Sequence, residues 1–371
     1  MKLWSRPSIN VVVMTVVWMI GVALAASGQQ AASGQKPQMV EDVFKNVQVL
    51  KGIPVDEFMG TMGLFSAALS MCCAECHDTA KWDADTPRKR IARRMVEMVN
   101  GINRTSFGGR QVVTCWTCHR GRDRPVVTPN LDIVYGEPLL EPDDILPAVP
   151  GLPRAETILD KYIQAIGGAA RLSSLTSYVA KGTSEGFLGA SRGPVEIYSK
   201  APSQRTIIVH TTDGDLVRTF DGRTGSVMTP LTPVAIYDFT GGELEGARLD
   251  AQLSFPGRIK EFLGSWRVNN STTIADRDVQ VVQGTGANGL VATFYFDTKS
   301  GLLVRMVRYA SSAVGRVPTQ IDYADYRPVA GVMIPYRWTF TWLDGRDNIV
   351  LTEVQPNVSI EPAKFARPVP K

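Results

Sequence analysis

Cys73-Ala74-Glu75-Cys76-His77 and Cys115-Trp116-Thr117-Cys118-His119 are the residues of this chain best suited to chemistry. Each is a C-x-x-C-H run, the spacing that attaches a c-type haem. Two thiols add across the vinyl groups of one porphyrin, and the adjoining histidine reaches the iron from the proximal side. One such pentapeptide could arise by chance or form half of a zinc site. The pair, however, takes four of the five cysteines and two of the three histidines in 371 residues. Four ligands around one zinc would also need closer spacing than the 42-residue step from Cys73 to Cys115. The spacing predicts two covalently attached haem c groups, held by Cys73, Cys76, Cys115 and Cys118, with His77 and His119 on the irons. Cys72, left over, reads as a small buried side chain.

A proximal histidine leaves a sixth iron position. Only His210 remains, in a region of strand-like sequence, so bis-histidine ligation of both irons is impossible within this chain. Methionine is the natural candidate. A helix is expected over 55–70, with Pro54 at its first position, placing Phe58, Met62, Phe65 and Leu69 on one stripe. A second is expected over 88–102, with Thr86 as N-cap and Pro87 at the first position. Its stripe is Ile91, Met95, Met98, Val99 and Ile102. Methionine at helical spacing is usually core filler; beside two haems, one from each helix becomes a ligand candidate. Periodicity does not separate Met62 from Met59, or Met95 from Met98.

Arg88, Lys89, Arg90, Arg93, Arg94, Arg120, Arg122 and Arg124 surround the motifs. They read as a solvated basic face, or as partners of the four haem propionates, whose carboxylates suit the arginine fork. Residues 36–124 carry 14 basic and 10 acidic side chains, an excess that four ionised propionates would cancel.

Covalent haem predicts export, and the N-terminus agrees. Lys2 and Arg6 precede an apolar stretch over 10–25 that ends in Ala23-Leu24-Ala25, so 1–25 reads as a cleaved signal peptide. The stretch is short against the ~20 residues of a spanning helix. The mature protein is expected in the periplasm, soluble or peripheral to the membrane. A net charge of +4 is too weak to indicate nucleic acid.

Residues 26–39 read as a disordered leader and 40–124 as the helical haem domain. The segment 125–153, with seven prolines, reads as an extended linker or strap. From 154 onward the texture is that of an antiparallel β domain. One helix is expected over 155–166, ending at Gly167-Gly168, and another over 249–263. Strands are expected at 195–200, 206–211, 216–220, 280–284, 292–296, 302–309, 320–326 and 338–342. The fold class is α+β multidomain, a helical dihaem domain followed by a large, mostly antiparallel sheet.

Ala92-Arg93-Arg94-Met95-Val96-Glu97-Met98, Asn100-Gly101-Ile102-Asn103 and Val113-Thr114-Cys115-Trp116-Thr117-Cys118-His119-Arg120-Gly121 resemble the cytochrome c subunit of photosynthetic reaction centres. The resemblance covers about 40–126. It implies that Met95 is the sixth ligand of the haem on His119. It also implies that Met62, eleven residues before Cys73, serves the haem on His77. This chain has two attachment sites where that subunit has four, and 104–109 lacks the histidine that the subunit lends to a distant haem. A half-size, dihaem relative is the consistent picture. Asp325-Tyr326-Arg327-Pro328-Val329-Ala330-Gly331-Val332-Met333-Ile334-Pro335-Tyr336 loosely resembles the half-barrel domains of outer-membrane lipoprotein-sorting carriers. That likeness implies a sheet curled around an apolar groove, open to an apolar ligand.

The leading functional expectation is a periplasmic electron carrier and not an enzyme, with a redox partner protein such as a membrane-bound complex or reaction centre. A haem enzyme or gas sensor with one open iron is an alternative, although no distal histidine is at hand. A lipid or lipoprotein carrier with an accessory haem domain is another.

Overall fold

The computed structural model describes residues 36–136, 145–147, 149–186, 192–230 and 232–369. The expected signal peptide, most of the leader and the middle of the proline-rich segment lie outside the described residues. Pro37–Lys371 form one compact unit.

The first part is helical: α1 (Val40–Val43), α2 (Val55–Leu69), α3 (Cys73–Cys76), α4 (Pro87–Ser106), α5 (Cys115–His119) and α6 (Leu131–Val134). Pro54 is the N-cap of α2, with extended dihedral angles, and not its first helical residue as expected. Thr86 caps α4 as expected, its hydroxyl accepting from the Lys89 amide, and Pro87 opens the helix. Within the proline-rich segment, Asn130 accepts from the Asp132 amide and so nucleates the single turn α6, where an extended strap was expected.

Then come α7 (Ala155–Ala165), α8 (Ala169–Ser174), β1 (Ser177–Gly186), β2 (Gly193–Lys200), β3 (Gln204–Thr211), β4 (Gly214–Phe220), β5 (Gly225–Met228) and β6 (Ile236–Asp238). After α9 (Gly241–Gln252) and α10 (Ile259–Phe262) follow β7 (Ser265–Ile274), β8 (Arg277–Thr285), β9 (Val291–Asp297) and β10 (Leu303–Ser312). The last strands are β11 (Gly315–Val329), β12 (Val332–Trp342) and β13 (Gly345–Pro356). The single helix expected over 249–263 is instead the end of α9, a 3-10 turn at Pro256–Arg258 and α10. Pro256 has no amide to donate, which breaks the run.

Among the described residues the strands form one 13-stranded sheet, ordered β6-β5-β4-β3-β2-β1-β13-β12-β11-β10-β9-β8-β7. Every neighbouring pair is antiparallel. Two meanders are joined where the last strand returns to the first, with Tyr178 opposite Pro356. The sheet curls over α7, whose Ile158, Leu159, Tyr162 and Ile163 are buried with Phe294, Phe296, Ile197 and Leu351. Tyr162 and Phe296 meet in a tilted ring contact, 5.2 Å between centroids.

Helix α9 is tied to the sheet by charge. Arg308 on β10 is fully buried, 3.3 Å from Glu243 and 3.2 Å from Asp250. Such a cation is tolerated because both carboxylates compensate its desolvation. Gly246, between them on α9, has no room for a Cβ, which would collide with the Arg308 guanidinium.

Helix α2 connects the helical part to the sheet. Interior glycines cost a helix ~1 kcal/mol each, and here they allow close approach. A Cβ on Gly60 would lie 3.3 Å from Val317, and one on Gly63 3.5 Å from Leu343. The buried Asp56 carboxylate accepts from the Thr240 amide at 2.5 Å and the Thr240 hydroxyl at 2.8 Å. Leu50, Leu64, Ala68, Val96 and Cys115 share one apolar cluster with Val314 from the β10–β11 turn.

Candidate haem site

Both pentapeptides fold into the same local structure. Helix α2 ends at Ser70 in the left-handed region, and the Ser66 hydroxyl donates to the Met71 carbonyl at 2.6 Å. The chain turns, and Cys72 caps the single turn α3; the Cys72 amide donates to the Glu75 carboxylate at 2.8 Å. Cys73 and Cys76, three apart on one turn, therefore share a face. His77 follows at once, its amide bonded to the Cys73 carbonyl. The second motif repeats the device with Thr114 as N-cap. The Thr114 amide donates to the Thr117 hydroxyl at 3.0 Å, and the Thr117 amide donates back to the Thr114 hydroxyl. Helix α5 closes on Arg120 in the left-handed region.

Neighbouring side chains hold each turn in place. The Thr86 hydroxyl donates to the Cys76 carbonyl at 2.6 Å, which joins the start of α4 to the first motif. Lys89 donates to the carbonyls of Trp82 and Ala84, fixing the loop between. At the other end of α4, buried Asn103 accepts from the amides of Val112 and Val113 and donates to the Val113 carbonyl. The Gly121 amide donates to the Ala68 carbonyl at 2.9 Å and so holds the second motif against α2.

The two histidines differ in their surroundings. His119 Nδ1 lies 3.0 Å from the Arg122 carbonyl oxygen. Only an N–H can face that oxygen, so the proton sits on Nδ1 and Nε2 keeps its lone pair for a metal. His77 is half-buried, its ring 5.3 Å from that of Trp82, and its Nδ1 is buried without a hydrogen-bond partner. Burial, with the Lys89 charge adding to it, lowers its pKa and favours the neutral ring that a metal requires. The surroundings of the Cys73, Cys76 and Cys115 thiols favour the protonated form. Burial raises Cys73 and Cys76, and pushes the buried Cys115 up to about 11. All five cysteines are free. Among the described residues no three His, Cys, Asp or Glu side chains gather as a metal-binding cluster.

The apolar stripes expected on the two long helices coincide only in part with the faces that the protein buries. On α2 the buried residues include Thr61, Gly63, Leu64 and Ala68, whereas Phe58, Met62, Phe65 and Leu69 are only half-covered. On α4 the buried residues are Val96, Val99 and Asn103. Ile91 and Met98 are 49% and 45% exposed, and Trp116 of the second motif is 50% exposed. Open apolar surface beside both motifs fits a large, flat, apolar group such as a porphyrin.

Of the methionine alternatives, Met62 packs with the cluster that contains Cys115, whereas Met59 lines a cavity on the sheet side of α2. Met95 is half-buried. Met71, not singled out by the sequence, is buried and its sulfur accepts from Arg88 at 2.8 Å. Contacts run crosswise: α2 lies against α5, and α3 against α4. His210 is on β3, bonded to Asp215 across the β3–β4 pair at 2.8 Å. Arg90 and Arg93 are engaged by Asp85, while Arg94, Arg120, Arg122 and Arg124 carry no ion pair among the described residues.

Residues 17–129 match the family model of the photosynthetic reaction centre cytochrome C subunit. The reaction centre cytochrome c subunit of Thermochromatium tepidum is 38% identical over 100 residues, covering 26% of this chain and 24% of that protein. That of Rubrivivax gelatinosus is 37% identical over 87 residues, covering 22% and 24%. The chain thus spans about a quarter of the length of the curated relatives it matches. Among solved structures, a LolA superfamily protein from Nitrosomonas europaea aligns with 58% of this chain and 98% of its own, at 14% identity and a TM-score of 0.40. A putative outer-membrane lipoprotein-sorting protein domain from Vibrio parahaemolyticus aligns with 57% and 97%, at 10% identity and a TM-score of 0.39.

Proposed function

We propose that this chain is an exported dihaem c-type cytochrome that carries electrons for a redox partner. In this reading residues 40–124 hold the haems, and 125–153 link them to the sheet region that begins at 154. The observation that carries the reading is the repeated local fold, a single C-x-x-C turn with its histidine at the end, beside an open apolar helix stripe. The match of 17–129 to a cytochrome family supports it.

Bound haem supplies a one-electron ferric–ferrous couple. Cys73 and Cys76 would anchor one haem and Cys115 and Cys118 the other, with His77 and His119 as iron ligands. The Arg122 carbonyl orients His119. Met62 would join His77 in holding one iron, and Met95 would join His119 in holding the other. Such Met/His ligation would raise the potential above that of a bis-histidine iron. Arg94, Arg120, Arg122 and Arg124 are the free cations suited to the propionates. The curated relatives are named as reaction centre subunits, which supports a membrane-bound complex as redox partner and a periplasmic location.

The test is the mass of the chain exported from a host with haem-attachment machinery. Two haems are expected on the wild type and one each on Cys76→Ala and Cys118→Ala; a haem-free wild-type chain refutes the proposal. A second reading, transport of an apolar ligand with the haem region as an accessory, has in its favour the cavity beneath α2.

A further inference from the structure

Strands β10 and β11 are joined by the two-residue turn Ala313-Val314, with Ser312 paired to Gly315. Two-residue hairpins favour Gly, Asn or Asp in the turn, and loop tips of this kind stand in water. Neither holds here. Val314 is 1% exposed, and neither turn residue is of the favoured type. The tip gives up turn chemistry for contact, a local departure of the kind that marks sites with a task beyond folding.

The tip reaches the haem region where α2, α4 and α5 meet. Val314 shares an apolar cluster with Leu64 and Ala68 of α2, Val96 of α4 and Cys115 of α5, and Ala313 packs against it. Gly315 lies so close that a Cβ would come 2.7 Å from Leu64 and 3.3 Å from Thr114, the N-cap of the second motif. The Gln111 side-chain amide donates to the Ser312 carbonyl at 3.2 Å, which ties the segment leading into α5 to the same tip. The Ser312 hydroxyl donates to the Gly315 carbonyl at 2.8 Å and stiffens the turn. Among the described residues, Cys73, Cys76 and His77 of the first motif do not belong to this cluster; Glu75 and Thr86 hold their turn instead.

We propose that the β10–β11 tip is a positioning element for the haem of the second motif, through which the sheet region tunes the potential of the His119 iron. The inference rests on the dihaem reading and gives the sheet a part in it. The physical route is short. Thr114 and Thr117 fix the single turn of α5, and His119 ends that turn, so a displacement of Thr114 is passed to the ligand. Val314 also closes the apolar packing around Cys115, one of the attachment sites, against water. Burial and the surroundings of the ligands are levers by which a protein tunes a haem. A wetter site favours the more highly charged ferric state, so loosening the tip lowers the potential.

The test is a redox titration of the full-length dihaem protein followed in its absorption spectrum. Cys118→Ala, which removes the haem on His119, assigns the two components. Val314→Ala empties the tip and Gly315→Ala crowds it, and both loosen its hold on Thr114 and Cys115. Each variant is expected to keep two haems per chain and to move the His77 haem less than the His119 haem. The reduction equilibrium of the His119 haem should shift at least about threefold toward the ferric state, about 30 mV for one electron. Gln111→Ala removes an exposed side chain and one hydrogen bond, and should shift the same component in the same direction. It decides the matter should the two core variants not fold. Gly301→Ala is the control: it strains the turn at the opposite end of β10, where φ is +76°, and should lower stability while leaving both potentials in place. Unmoved potentials in the tip variants, with two haems retained, overturn the inference and leave the dihaem reading standing. Equal movement of both haems, or movement in Gly301→Ala, means general loosening and also overturns it. A wild type without haem overturns the dihaem reading and the inference together.

Discussion

Asn103→Ala should loosen the second motif without touching any residue that meets a haem. The side chain is 5% exposed and makes three hydrogen bonds to the irregular segment that leads into α5. It accepts from the Val112 amide at 3.1 Å and the Val113 amide at 2.9 Å, and donates to the Val113 carbonyl at 2.8 Å. Each bond is worth ~1 kcal/mol net, and a buried amide left unpaired adds to the loss. The expected cost is about 3 kcal/mol. Asn103→Asp keeps the oxygen that accepts from both amides and loses the donor, so it should retain protection of the two amides. Hydrogen exchange on full-length protein reads this locally: protection at Val112 and Val113 collapses in the alanine variant and persists in the aspartate variant. Unchanged exchange in Asn103→Ala, with a stability loss below about 1 kcal/mol, would refute the assigned role.

Three further outcomes follow from the same structure. Met62→Ala and Met95→Ala should each make one haem reactive to carbon monoxide in the reduced spectrum, whereas Met59→Ala and Met98→Ala should not. Asp347, raised to about 6 from its ordinary 3.8, holds more protons folded than unfolded between those values. Stability contributed by its protonated form is complete at acid pH and lost as pH rises through about 6. Asp347→Asn should therefore match the wild type in thermal midpoint near pH 4 and exceed it near pH 7. Gly246→Ala forces a Cβ into the Arg308 guanidinium and should cost about 1–3 kcal/mol in denaturant unfolding followed by far-ultraviolet circular dichroism.

The two C-x-x-C-H runs were legible as a pair because each is contiguous, and the local fold of each needs only an N-cap and one turn. The start of α4 was legible for the same reason, in Thr86 and Pro87, as was the β9–β10 hairpin around Asp297 and Gly301. Features formed by distant residues were not. Gly60 and Gly63 look like flaws in a helix until Val317 and Leu343 lie against them. Helix α9 begins at Gly241, before the expected 249, and its glycines make sense only once Gly242 packs on Ala310 and Gly246 makes room for Arg308. Strands β1 and β13 were missed because their many polar residues weaken the apolar alternation, and their pairing closes the sheet across a long stretch of chain. Of the expected stripes, Val99 is buried and Phe58, Met62 and Phe65 pack half-covered against the core, while the fully buried faces centre on Leu64 and Ala68 of α2 and on Val96 and Asn103 of α4. Periodicity gives a face without saying what covers it. The cavity draws on α2, α9 and nonconsecutive strands, and leaves no local signal at all.

Two six-coordinate haems would be read from the reduced absorption spectrum of the haem-loaded protein, quantified per chain, before and after carbon monoxide. Two haems per chain with a spectrum unchanged by carbon monoxide is the predicted result. Fewer than two haems would contradict the reading of the paired motifs, and a carbon monoxide complex would contradict methionine ligation of both irons.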